Sequence, residues 1–327
     1  MEGDKSTSDW KKRLGTDPVP TILASNSEVI AYFVKRDLLG ETVGPIERLW
    51  ELPEAKRLLE RQQPNGAWKY HGGKDFRSHG NYNQLETYRI LGQLVEKYGF
   101  NRSHPAIRRA ANFLFKFQTE EGDFRGIYGN QYTPNYSAAI MELLIKAGYE
   151  DGIRIHRGFK WLLSIRQESG GWAIPFRTVQ GGLRDILEYP ELFKPDRTRP
   201  SSYLITGIVL RAFAAHSKYR ASETAREAAE LLKAGFLKPD HYPDRSDPKH
   251  WTKFQYPFWW TNLLTSLDSL SLIGLTAEDR DVKRALQWFV DHQERNGLWK
   301  TSYEKAKDRS MRLWVALAVC RMFKRLG

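Results

Sequence analysis

The sequence predicts an all-α protein, an α/α toroid of five to six helical hairpins whose inner helices line a central cavity. Three observations predict it. A short Gln–Gly–aromatic segment recurs four times along the 327 residues. An amphipathic stripe precedes it at a constant offset. Between these segments lie helices that are apolar on nearly every side.

The recurring segments are QQPNGAW ending at Trp68, QTEEGDF ending at Phe124, QESGGW ending at Trp172 and QERNGLW ending at Trp299. Their glycines are Gly66, Gly122, Gly170 and Gly297. Self-similarity of this kind is the mark of a repeat architecture. Fifteen residues before Gly122 stands Ile107, followed by Ala110, Ala111, Leu114 and Phe115 at helical spacing. The same step back from Gly170 gives Ile155, Gly158, Phe159, Leu162 and Leu163, and from Gly297 it gives Val282, Ala285, Leu286, Phe289 and Val290. Each set is one apolar face of a 3.6-period helix. Before Gly66 the stripe shortens to Ala55, Leu58 and Leu59. A further stripe, Ala225, Ala228, Ala229 and Leu232, leads to Asp240-His241-Tyr242 in place of Gly-x-Trp, a degenerate fourth unit of five.

The second helix type occupies 135–148, 201–215, 258–274 and 310–323. A helix apolar all round is a buried one. Each unit therefore reads as an amphipathic outer helix, a glycine turn, a loop and a buried inner helix. Gly99, Gly148 and Gly274 follow inner helices as C′ residues. At the turn, glycine accepts a left-handed conformation, the aromatic folds back over the helix end, and the Gln amide reaches unpaired terminal backbone groups. That makes the motif a structural clasp, with direct ligand contact as the other reading. An open ladder of such hairpins would expose apolar helices at both ends, so the array is expected to close. Residues 26–40 supply an extra inner-type helix for closure. The single toroid domain spans 26–327, and 1–25 is expected as a partly disordered N-terminal extension.

Composition bounds the chemistry. One cysteine, Cys320, leaves no intramolecular disulfide framework and no zinc ribbon. The eight histidines show no H-x3-H spacing, so no metal site and no cofactor is expected. No apolar run approaches the ~18 residues of a membrane span. The first fifteen residues lack the apolar stretch of a secretory signal, so a cytoplasmic location is expected. The net charge of +12 favours anionic partners, including peripheral contact with an anionic membrane surface, without any sequence-specific nucleic-acid motif. Aromatics make up 13% of the chain, a surplus that suits a bulky apolar ligand.

The turns at 62–68, 118–124, 167–172 and 293–299 resemble the QW-type repeats of the squalene and oxidosqualene cyclases, whose α/α toroid is shared with protein prenyltransferase β subunits. The resemblance covers roughly 26–325 and implies that fold, together with an isoprenoid-like ligand. The family's chemistry does not carry over. No D-x-D-D is present: Asp279-Arg280-Asp281 lacks the last position and opens an outer helix, where acids are ordinary. Nor is there an Asp-x-Cys zinc pair, since Ala318 stands two before Cys320.

In a toroid the loops and inner-helix starts surround the axis. Here they carry His79, Asn81, Tyr132, Tyr136, Arg199, Tyr203, Trp259, Trp260 and Arg312. Glu86 and His79 are the candidate acid and base, because a tunable group at an inner-helix start comes within reach of an axial ligand. The other eight are candidate ligand contacts: aromatic faces for an apolar body, with Asn and Arg for a polar or anionic end. Six residues before each inner-helix end stand Gln93, Glu142, Arg211, Asp268 and Arg321. The last four alternate in sign, either as an ion-pair belt between helices or as a polar constriction of the cavity. Three functions remain open on these grounds: a protein for an isoprenoid-like ligand, a carbohydrate lyase or hydrolase on a similar toroid, and a non-catalytic repeat scaffold.

Overall fold

The computed structural model describes residues 9–72, 81–179, 191–301 and 310–327. These residues are helical, and no strand occurs among them. The chain divides into two compact units. One combines Met1–Pro45, Leu232–Pro239 and Asp247–Gly327; the other combines Ile46–Leu231 and Asp240–Ser246.

In chain order the helices are α1 (Asp9–Lys12), α2 (Val19–Leu23), α3 (Glu28–Phe33, running on as a π-helix over Val34–Leu39), α4 (Pro53–Leu59), α5 (Tyr82–Tyr98), α6 (Pro105–Phe115), α7 (Pro134–Leu144), α8 (Ile153–Ser164), α9 (Pro175–Val179), α10 (Tyr203–Ala215), α11 (Glu223–Ala234), α12 (Leu263–Leu272), α13 (Arg280–Asp291) and α14 (Ser310–Leu326).

The outer stripes are buried as their spacing predicts. Ile107, Ala110, Ala111 and Leu114 of α6 and Ile155, Phe159 and Leu162 of α8 are inaccessible, as are Ala225, Ala228, Ala229 and Leu232 of α11. Leu163, the last position of its stripe, is 38% exposed, since by α8's final turn that face has rotated out of contact. The inner type is buried all round, through the whole of α7 and through Leu204–Ala214 of α10. In the second unit α7 packs most extensively on α10, and α5 lies against α6 and α7. In the first unit α14 packs on α12 and on α3 with its π-helical continuation, so the chain's opening segment and its last helix meet there. Residues 9–25 are held in this unit, with Trp10 and Ile22 buried.

The turns are clasps whose bonds are explicit. Gln62 Nε2 donates to Gly66 O (3.0 Å) and to Ala106 O (2.9 Å) in the first turn of α6. Gln118 Nε2 donates to Gly122 O (2.9 Å) and to Arg154 O (2.7 Å) at the start of α8. The Gln thus ties its own turn to the next outer helix. Trp68, Trp172 and Trp299 fold back so that each Nε1 donates to the carbonyl of Leu58, Leu162 and Phe289 respectively, at 2.7–2.8 Å. A second tether runs to the inner helix: the N–H of Trp68, Phe124 and Trp172 donates to the hydroxyls of Thr87, Ser137 and Thr206 at 2.9–3.0 Å. In the degenerate unit Trp251 Nε1 donates to Lys238 O (2.7 Å), doing the work of the missing turn tryptophan. Asp240, in the glycine's place, accepts from Ser202 Oγ (3.0 Å) and Leu204 N (2.8 Å) and so caps α10.

Candidate functional site

The second unit brings three predicted residues to one region. Asn81 caps α5, its Oδ1 accepting from Gln84 N at 3.1 Å. Glu86, in the next turn, is half-buried and pairs with Arg89 at 3.7 Å. The Arg89 guanidinium lies 5.9 Å over the Tyr70 ring, and it is close enough to Tyr136 to pull that phenol's pKa down against burial. Burial and the neighbouring phenols win, and Tyr136 stays well above the ordinary tyrosine value. Its ring, buried on α7, meets Tyr128 edge-on at 5.4 Å and Tyr88 at 6.5 Å; Tyr128 in turn meets Phe176 at 6.1 Å. His79 lies outside the described residues.

This aromatic cluster stands on a buried ion pair. The Arg211 guanidinium on α10 donates to Glu142 on α7, Nε at 2.8 Å and Nη2 at 2.5 Å, and also bonds the Tyr88 hydroxyl. Lys146 bridges Glu142 (2.8 Å) to Glu96 (2.5 Å). Burial alone would raise the Glu142 pKa, but Arg211 and Lys146 outweigh it and hold the carboxyl below its usual range. Burial pushes the Tyr88 phenol up to about 12.

The first unit repeats the arrangement with other residues. Tyr256 stacks on Trp314 (5.3 Å, 6° between planes) and meets Phe258 edge-on at 5.3 Å. Arg321 of α14 pairs with Asp37 (2.5 Å) and donates to the Tyr256 hydroxyl (3.4 Å). Burial works to raise the Asp37 pKa, but Arg321 and Arg36 bring it down. Arg211 and Arg321 hold the same inner-helix register, and each guanidinium joins one carboxylate to one phenol. The sequence register locates both arginines and the Glu142–Arg211 pair. Asp268 binds Arg325, one turn beyond Arg321, while Arg321 is engaged by Asp37 and the Tyr256 hydroxyl. The partners that sequence reasoning missed, Asp37, Tyr88 and Tyr256, come from other elements and share no periodic offset.

The remaining candidates are engaged elsewhere. Tyr132 is buried, its hydroxyl donating to Glu121 Oε2 at 2.5 Å, with the Arg125 guanidinium 4.9 Å over its ring and Trp161 at 5.5 Å. Tyr203 opens α10 and packs 5.1 Å from the His241 ring. Arg199 is exposed and pairs with Asp196 at 3.5 Å. Trp259 and Trp260 are half-buried, their rings 6.0 Å apart. Arg312 pairs with Glu294 and bonds Trp299 O (3.4 Å). The Tyr132 bond is the leading cause of a lowered Glu121 pKa. Tyr132→Phe is therefore expected to raise the Glu121 midpoint in an NMR titration, since losing a donor to the charged form favours protonation.

Among the described residues no group of three His, Cys, Asp or Glu side chains could hold a metal, and no helix is long and apolar enough to cross a membrane. The family model described as squalene-hopene cyclase C-terminal domain matches residues 83–181 and 153–316, most of the chain. The chain belongs to that family. This squalene-hopene cyclase-type chain accordingly has the all-α, α/α toroid class of fold, with the paired inner and outer helices described above. Squalene–hopene cyclase from Zymomonas mobilis is 27% identical over 111 residues, 33% of this chain but 17% of the cyclase, so the chain spans a small part of that relative. Among solved structures, a protein from Actinoplanes aligns over 97% of this chain and 99% of its own at 15% identity and a TM-score of 0.46. The type II terpene cyclase MstE from Scytonema aligns over 82% and 94% at 13% identity and a TM-score of 0.36. A variant of MstE bound to its substrate geranylgeranyl dihydroxybenzoate aligns over 94% and 98% at 13% and 0.39.

Proposed function

We propose that this family member binds or transforms a bulky, largely apolar, isoprenoid-like ligand against the aromatic faces of its inner helices. The reading is carried by the cluster of Tyr88, Tyr128, Tyr136 and Phe176, in a chain whose family is that of a cyclase of squalene. Stacked and edge-on rings offer polarisable, water-poor walls to a hydrocarbon and little to a sugar, which needs hydroxyl partners as well. In this reading Tyr136, Tyr203, Trp259 and Trp260 contact the apolar body and Asn81 a polar end, with Tyr132, Arg199 and Arg312 as further contacts at the inner-helix starts and loops. Glu86 and His79 are the groups for proton transfer. The chemistry proceeds without D-x-D-D and without zinc, because the sequence has neither motif.

Titration of the full chain with geranylgeraniol or squalene in detergent, read by tryptophan fluorescence, is expected to show saturable binding. Tyr136→Ala removes one aromatic wall and is expected to weaken it by at least ten-fold, the effect of losing roughly 1.5–3 kcal/mol of apolar contact. Tyr136→Phe keeps the ring and is expected to bind like the parent chain. The absence of saturable binding, or equal affinity for all three proteins, would count against the reading.

A further inference from the structure

The last clasp, at 293–299, grips no outer helix among the described residues. In its place stands a stretch from the beginning of the chain. Gln293 Nε2 donates to its own Gly297 O (3.0 Å), as in the turns at 62–68 and 118–124, and its outward bond goes to Thr16 O (2.7 Å). Thr16 N returns a bond to Gln293 Oε1 (3.0 Å), and Thr21 Oγ1 donates to Asn296 O (2.7 Å). Gly297 lies so near Pro18 that an added Cβ would sit 2.9 Å from its Cα. Gly66 and Gly122 approach α6 and α8 in the same way. Residues 16–23 thus occupy the place of an outer-helix start, with α2 as a five-residue remnant of that helix and α3 as its inner partner.

We infer that residues 10–23 are a closing latch: a detachable segment that completes the first unit at its last clasp and opens before the rest of that unit does. Its covering bonds support this. The Thr16 and Thr21 bonds are all exposed, and the Lys11–Asp17 ion pair (2.9 Å) is about a third exposed, a setting in which such pairs hold weakly. By contrast α14 is joined to α3 and its π-helical continuation by the largely buried Arg321–Asp37 pair and by Lys324, which donates to the carbonyls of Asp37 (2.9 Å) and Leu38 (3.2 Å). Few bonds and short helices make a segment of low local stability within a stable unit. The latch's anchors, Trp10, Leu14, Val19 and Ile22, are apolar side chains that reseat on closing.

The latch carries its own protease sites, Lys11, Lys12 and Arg13. Limited trypsin digestion of the full chain, followed by mass spectrometry, tests the inference. Gln293→Ala removes both bonds to Thr16 and is expected to speed cleavage at these three sites about ten-fold, while cleavage after Lys35, Arg36 and Lys324 keeps its rate. Thr21→Val removes one hydroxyl bond and is expected to give the same pattern at about three-fold, without touching the clasp itself. Unchanged cleavage at residues 11–13 in both variants would overturn the inference, since the bonds would then hold nothing. Acceleration at all sites together would overturn it too, because the segment would then open only with the unit.

Discussion

Arg211→Met is expected to destabilise the second unit by about 3–5 kcal/mol, the cost of stranding a buried charge whose partner has been removed. Glu142 is 2% exposed and would keep only Lys146, itself about a quarter exposed and shared with Glu96. The pH dependence follows from the direction of the Glu142 shift. A carboxyl held below its unfolded value stabilises the fold above about pH 4.3 and loses that contribution as the pH falls further. In the variant, burial is no longer outweighed, so the Glu142 midpoint moves above its unfolded value; the carboxylate then destabilises the fold at pH 7, and the deficit relative to the parent shrinks as the pH falls through that raised midpoint. Urea unfolding between pH 3 and pH 7 checks both statements. The double change Arg211→Met with Glu142→Leu removes the stranded charge and is expected to recover most of the loss. A single variant within about 1 kcal/mol of the parent at pH 7 would mean that water already solvates the pair.

The outer helices were legible because each buries a single face, so the stripe at 107–115 or 282–290 records the packing directly. The inner helices were legible for the opposite reason: α7 and α10 have no polar face to expose. The clasp glutamines could be read because their chemistry is local to a seven-residue turn. The latch could not. Thr16-Asp17-Pro18 carries no apolar stripe of the kind that marks the helices gripped by Gln62 and Gln118, and its partner lies 277 residues away. The candidate site divides in the same way. Glu142 and Arg211 share a register with the helix ends, and the pair forms as that register suggests. Tyr88 and Tyr256 reach the two arginines from an unrelated helix and a loop, so no count along the chain could place them. Arg199 and Arg312 show what a position near an inner-helix start leaves out: each faces a carboxylate, Asp196 and Glu294, that no offset along the sequence announces.

Gly122→Ala is expected to cost about 3 kcal/mol, and Gly170→Ala about 1, although both glycines do the same work in the same unit. Both have left-handed backbones, φ +115° and +95°, a conformation that costs an alanine roughly 1 kcal/mol. The difference lies in what a Cβ would meet. At Gly122 it would fall 2.4 Å from Arg157 O and 2.8 Å from Arg157 C, backbone atoms in the middle of α8. Relieving that overlap means moving α8 away from the clasp and lengthening the Gln118–Arg154 bond, a strain of roughly 1–3 kcal/mol. At Gly170 it would meet only Arg166 Nη2 at 3.2 Å, the end of a side chain that can swing aside. The next element there is the loop carrying Asp196 and Arg199, to which Gln167 donates, and among the described residues no backbone atom stands within 4 Å of a Cβ at Gly170. Chemical denaturation of the two variants separates the causes. A gap of about 2 kcal/mol assigns the glycine at Gly122 to close approach between neighbouring units, and by the same geometry at Gly66, where the Cβ would fall 2.2 Å from Arg109 O, it assigns that glycine too. Equal losses would mean that the motif keeps its glycine for backbone angle alone, and that the spacing between outer helices adjusts to whatever the turn contains.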